Sequence, residues 1–332
     1  MWGEALLESC RHFFEEFMTA RIIDGKAIAQ KIIDDLKQEV ATLADRDCRP
    51  HLVAISVGDD PATAVYLKSQ KKHCEDVGIR HSLHQLPATT RQDELLAHLT
   101  RLNADKSVTG IIIHEPLPRD IDESVLQAVI APHKDVEGVT AVNLGFLAYC
   151  KPNLVPCTPL GIMHLLKSVG VPLRGLELTI IGRGRVVGMP LLLLVLMESV
   201  TPTVCHRGTL DLKAHCRKAD VLIAATGKPG LVTGDMVKPG AIVIDVGINR
   251  VPVLDAAGKP VLDEKGKPKM KTVGDVVFDE AKEVAGHITP VPGGVGPMTV
   301  AMLLSNTVLA AKRQCFSCGP DEKAKFREQI PE

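Results

Sequence analysis

Leu176-Glu-Leu-Thr-Ile-Ile-Gly-Arg-Gly-Arg-Val-Val-Gly188 decides the fold. The apolar run Leu176–Ile181 reads as a strand, and a helix over Pro190–Glu198 follows the glycines. A strand, a glycine turn and a helix in that order aim a helix N-terminus, with its unpaired N–H groups, at a pyrophosphate. The spacing Gly182-x-Gly184-x-x-x-Gly188 is one residue longer than the usual dinucleotide fingerprint, so the flanking strand and helix carry the reading more than the glycines do.

Downstream the alternation continues with strand Thr203–Cys205, helix Leu210–Arg217, strand Val221–Ala225 and strand Ala241–Val246. With helix Gly161–Val169 in front, this is the pattern of a doubly wound nucleotide-binding domain. An acid at the end of the second strand would hold the ribose hydroxyls of NAD, whereas an arginine accommodates the extra phosphate of NADP. Here that position reads His206-Arg207, and Arg183 lies in the turn itself. Two guanidinium groups suit a phosphate through charge-assisted hydrogen bonds, so NADP is expected before NAD. The plainer alternative is two solvated surface arginines.

Upstream lies another alternating series. Residues 26–41 place Ile28, Ile32, Ile33, Leu36 and Val40 on one helical side. Strand His51–Val57, helix Ala62–Val77, strand His81–Leu86, helix Gln92–Asn103, strand Gly110–Ile113 and helix Asp122–Ile130 come next, with loops up to Pro156-Cys-Thr-Pro159. The expected fold class is α/β, built of βαβ units on mostly parallel sheets. The near-repeat Pro252-Val-Leu-Asp-Ala-Ala-Gly-Lys259 and Pro260-Val-Leu-Asp-Glu-Lys-Gly-Lys267 reads as a surface hairpin.

Bulk properties narrow the function classes. The 332 residues suggest two domains, and 45% hydrophobic with 24% charged residues fits a globular chain. A net charge of −1 and 3% aromatics point away from nucleic acid and from an anionic membrane. The greasy stretch Val186–Met197 is broken by Gly188 and Pro190 and falls short of the roughly 20 residues a bilayer requires. Nine scattered cysteines read as reduced thiols, and Cys315-x-x-Cys318 lacks the second ligand pair a zinc site needs, so no metal is expected. Residues 1–20 carry Trp2, Leu6, Leu7, Cys10, Phe13, Phe14 and Phe17 at helical spacing, with four glutamates against Arg11. Transit peptides are basic, so this is read as an amphipathic extension and the location as cytoplasmic, with an organelle left open.

The run Ile288-Thr-Pro-Val-Pro-Gly-Gly-Val-Gly-Pro-Met-Thr299 is rigid and bare of side chains, suited to pressing main chain against a flat ligand. With Ile23-Asp-Gly-Lys26, Val57-Gly-Asp-Asp-Pro61, Pro156-Cys-Thr-Pro159, Gly240–Asn249 and Val273-Gly-Asp-Val276, it makes the chain resemble the methylenetetrahydrofolate dehydrogenase/methenyltetrahydrofolate cyclohydrolase family from about Ile22 to Lys312. The resemblance implies an N-terminal α/β folate domain over 21–157, completed by a C-terminal helix in 298–332, and a Rossmann-type NAD(P)-binding domain over 158–297. It also implies a cleft between them, tetrahydrofolate derivatives as partners and usually a homodimer. Cofactor contacts carry over to Gly182, Arg183, Gly184, Arg207 and Ile248, and Pro292 and Gly293 would border folate and nicotinamide. The family commonly has serine where Gly184 stands.

The folate side departs from the family. Thr63, Tyr66 and Gln70 occupy the places of its serine, tyrosine and lysine; Tyr66 keeps the ring that stacks on the aminobenzoyl group. The family's glutamine has become His114, and its pterin-binding aspartate Glu137. Hydride transfer leaves a cation stabilised by adjacent nitrogens and needs no general base, only close placement of two carbons. Ring opening adds water and breaks a C–N bond, where the family's lysine assists; a glutamine hydrogen-bonds but does not titrate. The first reading is therefore an NADP-dependent methylenetetrahydrofolate dehydrogenase with cyclohydrolase activity weak or lost. The second keeps both activities, with His114 and Glu137 compensating, and the third is a non-catalytic folate-binding homologue.

Overall fold

A computed structural model describes residues 19–255, 258–263 and 266–316; the N-terminal extension up to residue 18 and Cys318 lie outside them. The chain divides into two compact units. One joins the described part of Met1–Ile28 to Gly161–Met298, and the other joins Ala29–Leu160 to the described part of Thr299–Glu332.

Strand β1 (Arg21–Ile22) leads into helix α1 (Gly25–Ala44). Strand β2 (His51–Val57), helix α2 (Pro61–Val77), strand β3 (Arg80–Leu86), helix α3 (Gln92–Ala104) and strand β4 (Gly110–Ile113) follow. They form a parallel sheet in the order β3-β2-β4, with Leu52 opposite both His81 and Gly110. Strand β2 is buried along its whole length, which explains why it reads as a continuous apolar run rather than an alternating one. Asp60 caps α2, its carboxylate accepting from the Thr63 N–H at 2.7 Å, with Pro61 in the first turn. Val53, Ile55, Leu95, Leu99, Ile111 and Leu126 share one core beneath the sheet.

Helices α4 (Glu123–Val129) and α5 (Ala141–Ala148) precede α6 (Cys157–Ser168). Two expectations are corrected here. The stretch read as loop contains α5, whose Thr140 cap and eight residues are too short for a clear period. Helix α6 starts at Cys157 rather than Gly161, because Pro159 falls in its first turn, where a missing N–H costs nothing.

The other unit contains strand β5 (Glu177–Ile181), helix α7 (Gly188–Met197), strand β6 (Thr201–Cys205), helix α8 (Leu212–Lys218), strand β7 (Val221–Ala224) and strand β8 (Ile242–Asp245). The hairpin strands β9 (Asn249–Pro252) and β10 (Met270–Val273), helix α9 (Phe278–Lys282) and strand β11 (His287–Ile288) follow, and helix α10 (Val295–Cys315) closes the described chain. Six parallel strands run in the order β1-β11-β8-β7-β5-β6. Strand β6 begins at Thr201, before Pro202; a proline fits there because β6 is an edge strand. The near-repeat forms two matching turns between β9 and β10, in which Asp255 and Asp263 each accept from the N–H of the lysine four residues on, at 2.9 Å.

The thiol expectation is also corrected: Cys48 and Cys315 are joined as a disulfide, with their Cα atoms 5.9 Å apart. Spacing in sequence gave no hint, since they stand 267 positions apart. Helix α10 is long and apolar enough to cross a membrane by length and composition, but 61% of its apolar window is buried, as in a core helix.

Candidate functional site

Each unit carries its own constellation. In the six-stranded unit, β5 pairs with β6 on one side and β7 on the other. The strand order reverses there, which is where open α/β sheets bind ligands, beyond the carboxyl ends of the strands. Gly182 lies at that end of β5 with φ +116, and a Cβ on it would stand 2.1 Å from the Ala225 carbonyl oxygen. A Cβ on Gly188 would stand 2.1 Å from the Gly182 carbonyl oxygen. These two glycines make the tight turn and the close approach of helix to strand. Gly184 differs: its φ is ordinary and a Cβ would meet nothing within 4 Å.

Arg183 and Arg207 are both exposed, and neither forms an ion pair among the described residues. After β6 the chain turns tightly: His206 N–H donates to Thr209 Oγ1 at 2.9 Å and Gly208 N–H to His206 Nδ1 at 3.1 Å. The turn fixes Arg207 at the strand end and supplies no acid to compete for it. A dinucleotide's phosphates thus fit a backbone cradle and two unengaged cations.

Buried acids that sequence reasoning passed over organise the rim. Asp245 accepts from the N–H groups of Gly247, Asp275 and Val276 at 2.9–3.0 Å, and desolvation pushes its pKa up to about 6. Asp275 accepts from Thr226, Gly227 and Asn249, tying three loops together. Ile248 sits between these tethers and is 69% exposed. An acid at the end of an apolar strand, Ile242–Asp245, was the available signal. In the rigid run Gly293 has φ +115, and its carbonyl accepts from the Lys26 N–H at 3.0 Å. Pro292 before it follows a cis peptide bond.

In the three-stranded unit, α2 and the end of β4 bring Tyr66, Gln70 and His114 together. The Tyr66 and His114 rings meet edge to face with centroids 5.4 Å apart. Gln70 is 3% exposed, and its Oε1 lies 3.2 Å from His114 Nε2 and 3.1 Å from His81 Nε2. Its Nε2 is buried without a partner among the described residues. Burial, and then the neighbouring His81, lower the pKa of His114 to about 4, so the ring is neutral near pH 7. Tyr66 is 40% exposed, yet its phenol is desolvated, which together with Cys157 and Glu137 raises its pKa to about 12.

Glu137 stands on a loop built by its neighbours. Asp135 accepts from the N–H groups of Gly138 and Thr140 at 2.9 Å and from Asn143 Nδ2 at 2.8 Å. The Lys134 ammonium is spent on the carbonyls of Leu102 and Asp105. Gly138 has φ +73, and a Cβ there would lie 2.4 Å from the Val155 backbone. From α10, Asn306 Nδ2 donates to the carbonyls of Val136 and Val155 at 2.8 Å. Desolvation, reinforced by Asp135, Glu123 and Glu115, raises the Glu137 pKa to about 8, so this carboxyl holds its proton at neutral pH.

Thr63 Oγ1 lies 2.8 Å from Asp60 Oδ2 and 3.1 Å from the Glu115 carbonyl, joining α2 to the segment after β4. Lys68 and Lys71 line a cavity of about 350 Å³ with Ser56, Asp60, Leu67 and His81, a lining that does not include Tyr66, Gln70 or His114. Two participants escaped the sequence reading: His81, whose strand position looks like any polar edge residue, and Asn306, a lone amide in an apolar helix.

Two family models match the chain in succession. Residues 23–137 match the family model described as tetrahydrofolate dehydrogenase/cyclohydrolase, catalytic domain, and residues 156–315 match that of its NAD(P)-binding domain. The chain is 49% identical over 297 residues to the bifunctional protein FolD of Phenylobacterium zucineum, covering 89% of this chain and 98% of that protein. The bifunctional FolD structure from Campylobacter jejuni is 42% identical, with a TM-score of 0.81 over 89% of this chain and 99% of its own. The Trypanosoma brucei methylenetetrahydrofolate dehydrogenase-cyclohydrolase, solved with NADP and an inhibitor, is 38% identical with a TM-score of 0.80, covering 90% and 99%. Names of this kind favour the reading with both activities over the one in which ring opening is weak or lost.

Proposed function

Because the chain belongs to the tetrahydrofolate dehydrogenase/cyclohydrolase family, we propose that it oxidises 5,10-methylenetetrahydrofolate with NADP and then opens the methenyl product with its own altered residue set. The observation that carries the reading is the Gln70–His114 contact beside Tyr66, together with a separate loop that keeps Glu137 protonated. NADP is favoured by the unengaged Arg183 and Arg207, by the Gly182–Gly188 cradle and by the NADP bound to the Trypanosoma brucei relative. When bound, it supplies the hydride acceptor.

Tyr66 offers a half-open ring face for the aminobenzoyl group. Glu137, neutral at pH 7, offers a hydrogen-bond donor to the pterin where an aspartate stands in the family. His114, also neutral, takes a proton from the water that adds to the methenyl carbon, leaving a neutral carbinol. Gln70 Nε2 is a desolvated donor for the carbinol oxygen. As the ring C–N bond breaks, the hydroxyl proton passes to the departing nitrogen, the formyl group forms, and His114 returns its proton to solvent. One water is consumed and one proton released. Pairing with a second copy of the chain follows the family's habit and belongs to this proposal.

The test uses purified protein with methylenetetrahydrofolate and each nicotinamide cofactor, then methenyltetrahydrofolate alone. NADP reduction exceeding NAD reduction, and methenyl hydrolysis well above the buffer rate, are the expected results. Gln70→Ala and His114→Gln should each slow hydrolysis at least tenfold while hydride transfer persists. Hydrolysis at the buffer rate in the wild type would return the chain to the dehydrogenase-only reading, and no reduction despite folate binding would make it a non-catalytic homologue.

A further inference from the structure

Three elements converge on one buried amide. Helix α2 supplies Gln70, β3 supplies His81, and the residue after β4 supplies His114, whose own N–H donates to the Ile55 carbonyl at 2.9 Å. Both imidazole Nε2 atoms lie on the same acceptor, Gln70 Oε1, and the amide nitrogen has no partner among the described residues. A carbonyl oxygen has two lone pairs and receives both N–H groups, so this arrangement requires each ring to carry its hydrogen on Nε2. The basic lone pair of His114 then resides on Nδ1. If the amide were reversed, its NH2 would donate to both rings, forcing their hydrogens onto Nδ1 and removing that lone pair.

We infer that His81 is a positioning residue for ring opening: by donating to Gln70 Oε1 it holds the amide in the orientation that leaves His114 Nδ1 basic and Gln70 Nε2 free for substrate. With His81 removed, only the His114 contact orients the amide, and either end of the amide satisfies that ring in one of its tautomers. The inference rests on the bifunctional reading for its kinetic consequence but not for its structural one. The titratable groups around the trio are Tyr66, Lys71 and Glu75 on α2 and His51 on β2. Proximity of His81 also adds to the lowering of the His114 pKa, so its removal shifts His114 upward.

His81→Phe removes the donor at similar size, and His81→Gln restores one without a titrating ring. The expected result is roughly a tenfold loss of cyclohydrolase kcat in His81→Phe, about the value of one hydrogen bond in the transition state, with its KM and the dehydrogenase rate within twofold of wild type. The acid limb of the cyclohydrolase pH profile should move to higher pH in the same variant, and His81→Gln should recover most of the kcat. A merely structural role would depress both activities together and leave the His114 tautomer unchanged. Independently of activity, nitrogen NMR of 15N-histidine-labelled wild type, with His114 assigned by its loss in His114→Gln, should show the Nε2–H tautomer at His114. An Nδ1–H tautomer in the wild type overturns the inference, as does an unchanged tautomer in a folded His81→Phe protein. Should the wild type lack cyclohydrolase activity, the functional reading falls, while the tautomer measurement still decides the role of His81.

Discussion

At single residues, the replaced side chains act through the charge they keep or lose. Glu137 is neutral below about pH 8 and His114 is neutral above about pH 4. Ring opening that uses both neutral forms should rise with pH through about 4 and fall through about 8. Glu137→Gln should remove the alkaline fall and leave the acid limb; a surviving alkaline limb in the kcat profile would assign it to another group. The same raised pKa has a stability sign. The folded state binds the Glu137 proton more tightly than the unfolded chain, so its contribution is full below about pH 4.5 and is lost as pH rises through about 8. On the cofactor side, replacing Arg183 or Arg207 singly with alanine should raise the KM for NADP about 10- to 150-fold and barely change that for NAD, a charged contact being worth roughly 1.5–3 kcal/mol. Equal effects on both cofactors would mean that the arginines do not read the phosphate. Gly184→Ser meets open space and should bind NADP at least as well as wild type, whereas Gly182→Ala collides with the Ala225 carbonyl and should not.

Among elements, α10 matters more than its apolar face suggests. It carries Asn306 to the Val136 and Val155 carbonyls on either side of the Glu137 loop, and Gln314 to the carbonyls of Thr109 and His133. Asn306→Ala leaves the Val155 carbonyl without its amide donor and the Val136 carbonyl with only the Cys157 thiol at 3.4 Å, at a cost of about 1–3 kcal/mol. The variant should show a lower denaturant midpoint and slower ring opening, with the KM for NADP unchanged, because its contacts stay within the three-stranded unit. A raised KM for NADP would place the loop's influence elsewhere.

For the whole molecule, the Cys48–Cys315 bond closes a span of 267 residues and pins the end of α10 beside α1. Lys312 pairs with Glu39 along the same seam, and the Arg46 guanidinium lies 3.8 Å from the Phe316 ring centroid. A bond closing so long a loop is worth about 2–4 kcal/mol, mainly through the unfolded chain. Reductant should therefore lower the thermal midpoint of the wild type, and Cys48→Ser should show the lower midpoint with and without it. An unchanged midpoint on full reduction, checked by thiol titration, would show that packing alone holds the seam.

Local patterns settled much of this protein from its sequence. A buried parallel strand needs a continuous apolar run and a tight strand-to-helix turn needs glycine, so the three strands of one sheet, four of the six in the other and the glycine turn were legible in order along the chain, whereas the two-residue strands Arg21–Ile22 and His287–Ile288 were not. Family motifs identified Tyr66, Gln70, His114 and Glu137 as the positions to watch. What those residues do was not legible, because charge and tautomer depend on neighbours far apart in sequence. His81 and His114 are 33 positions apart and meet only through Gln70; Asn306 reaches a loop 170 positions away; Cys315 finds Cys48 rather than its neighbour in the C-x-x-C. Burial raises one acid and lowers one base only once the chain has closed around them, and that closure belongs to the tertiary structure alone.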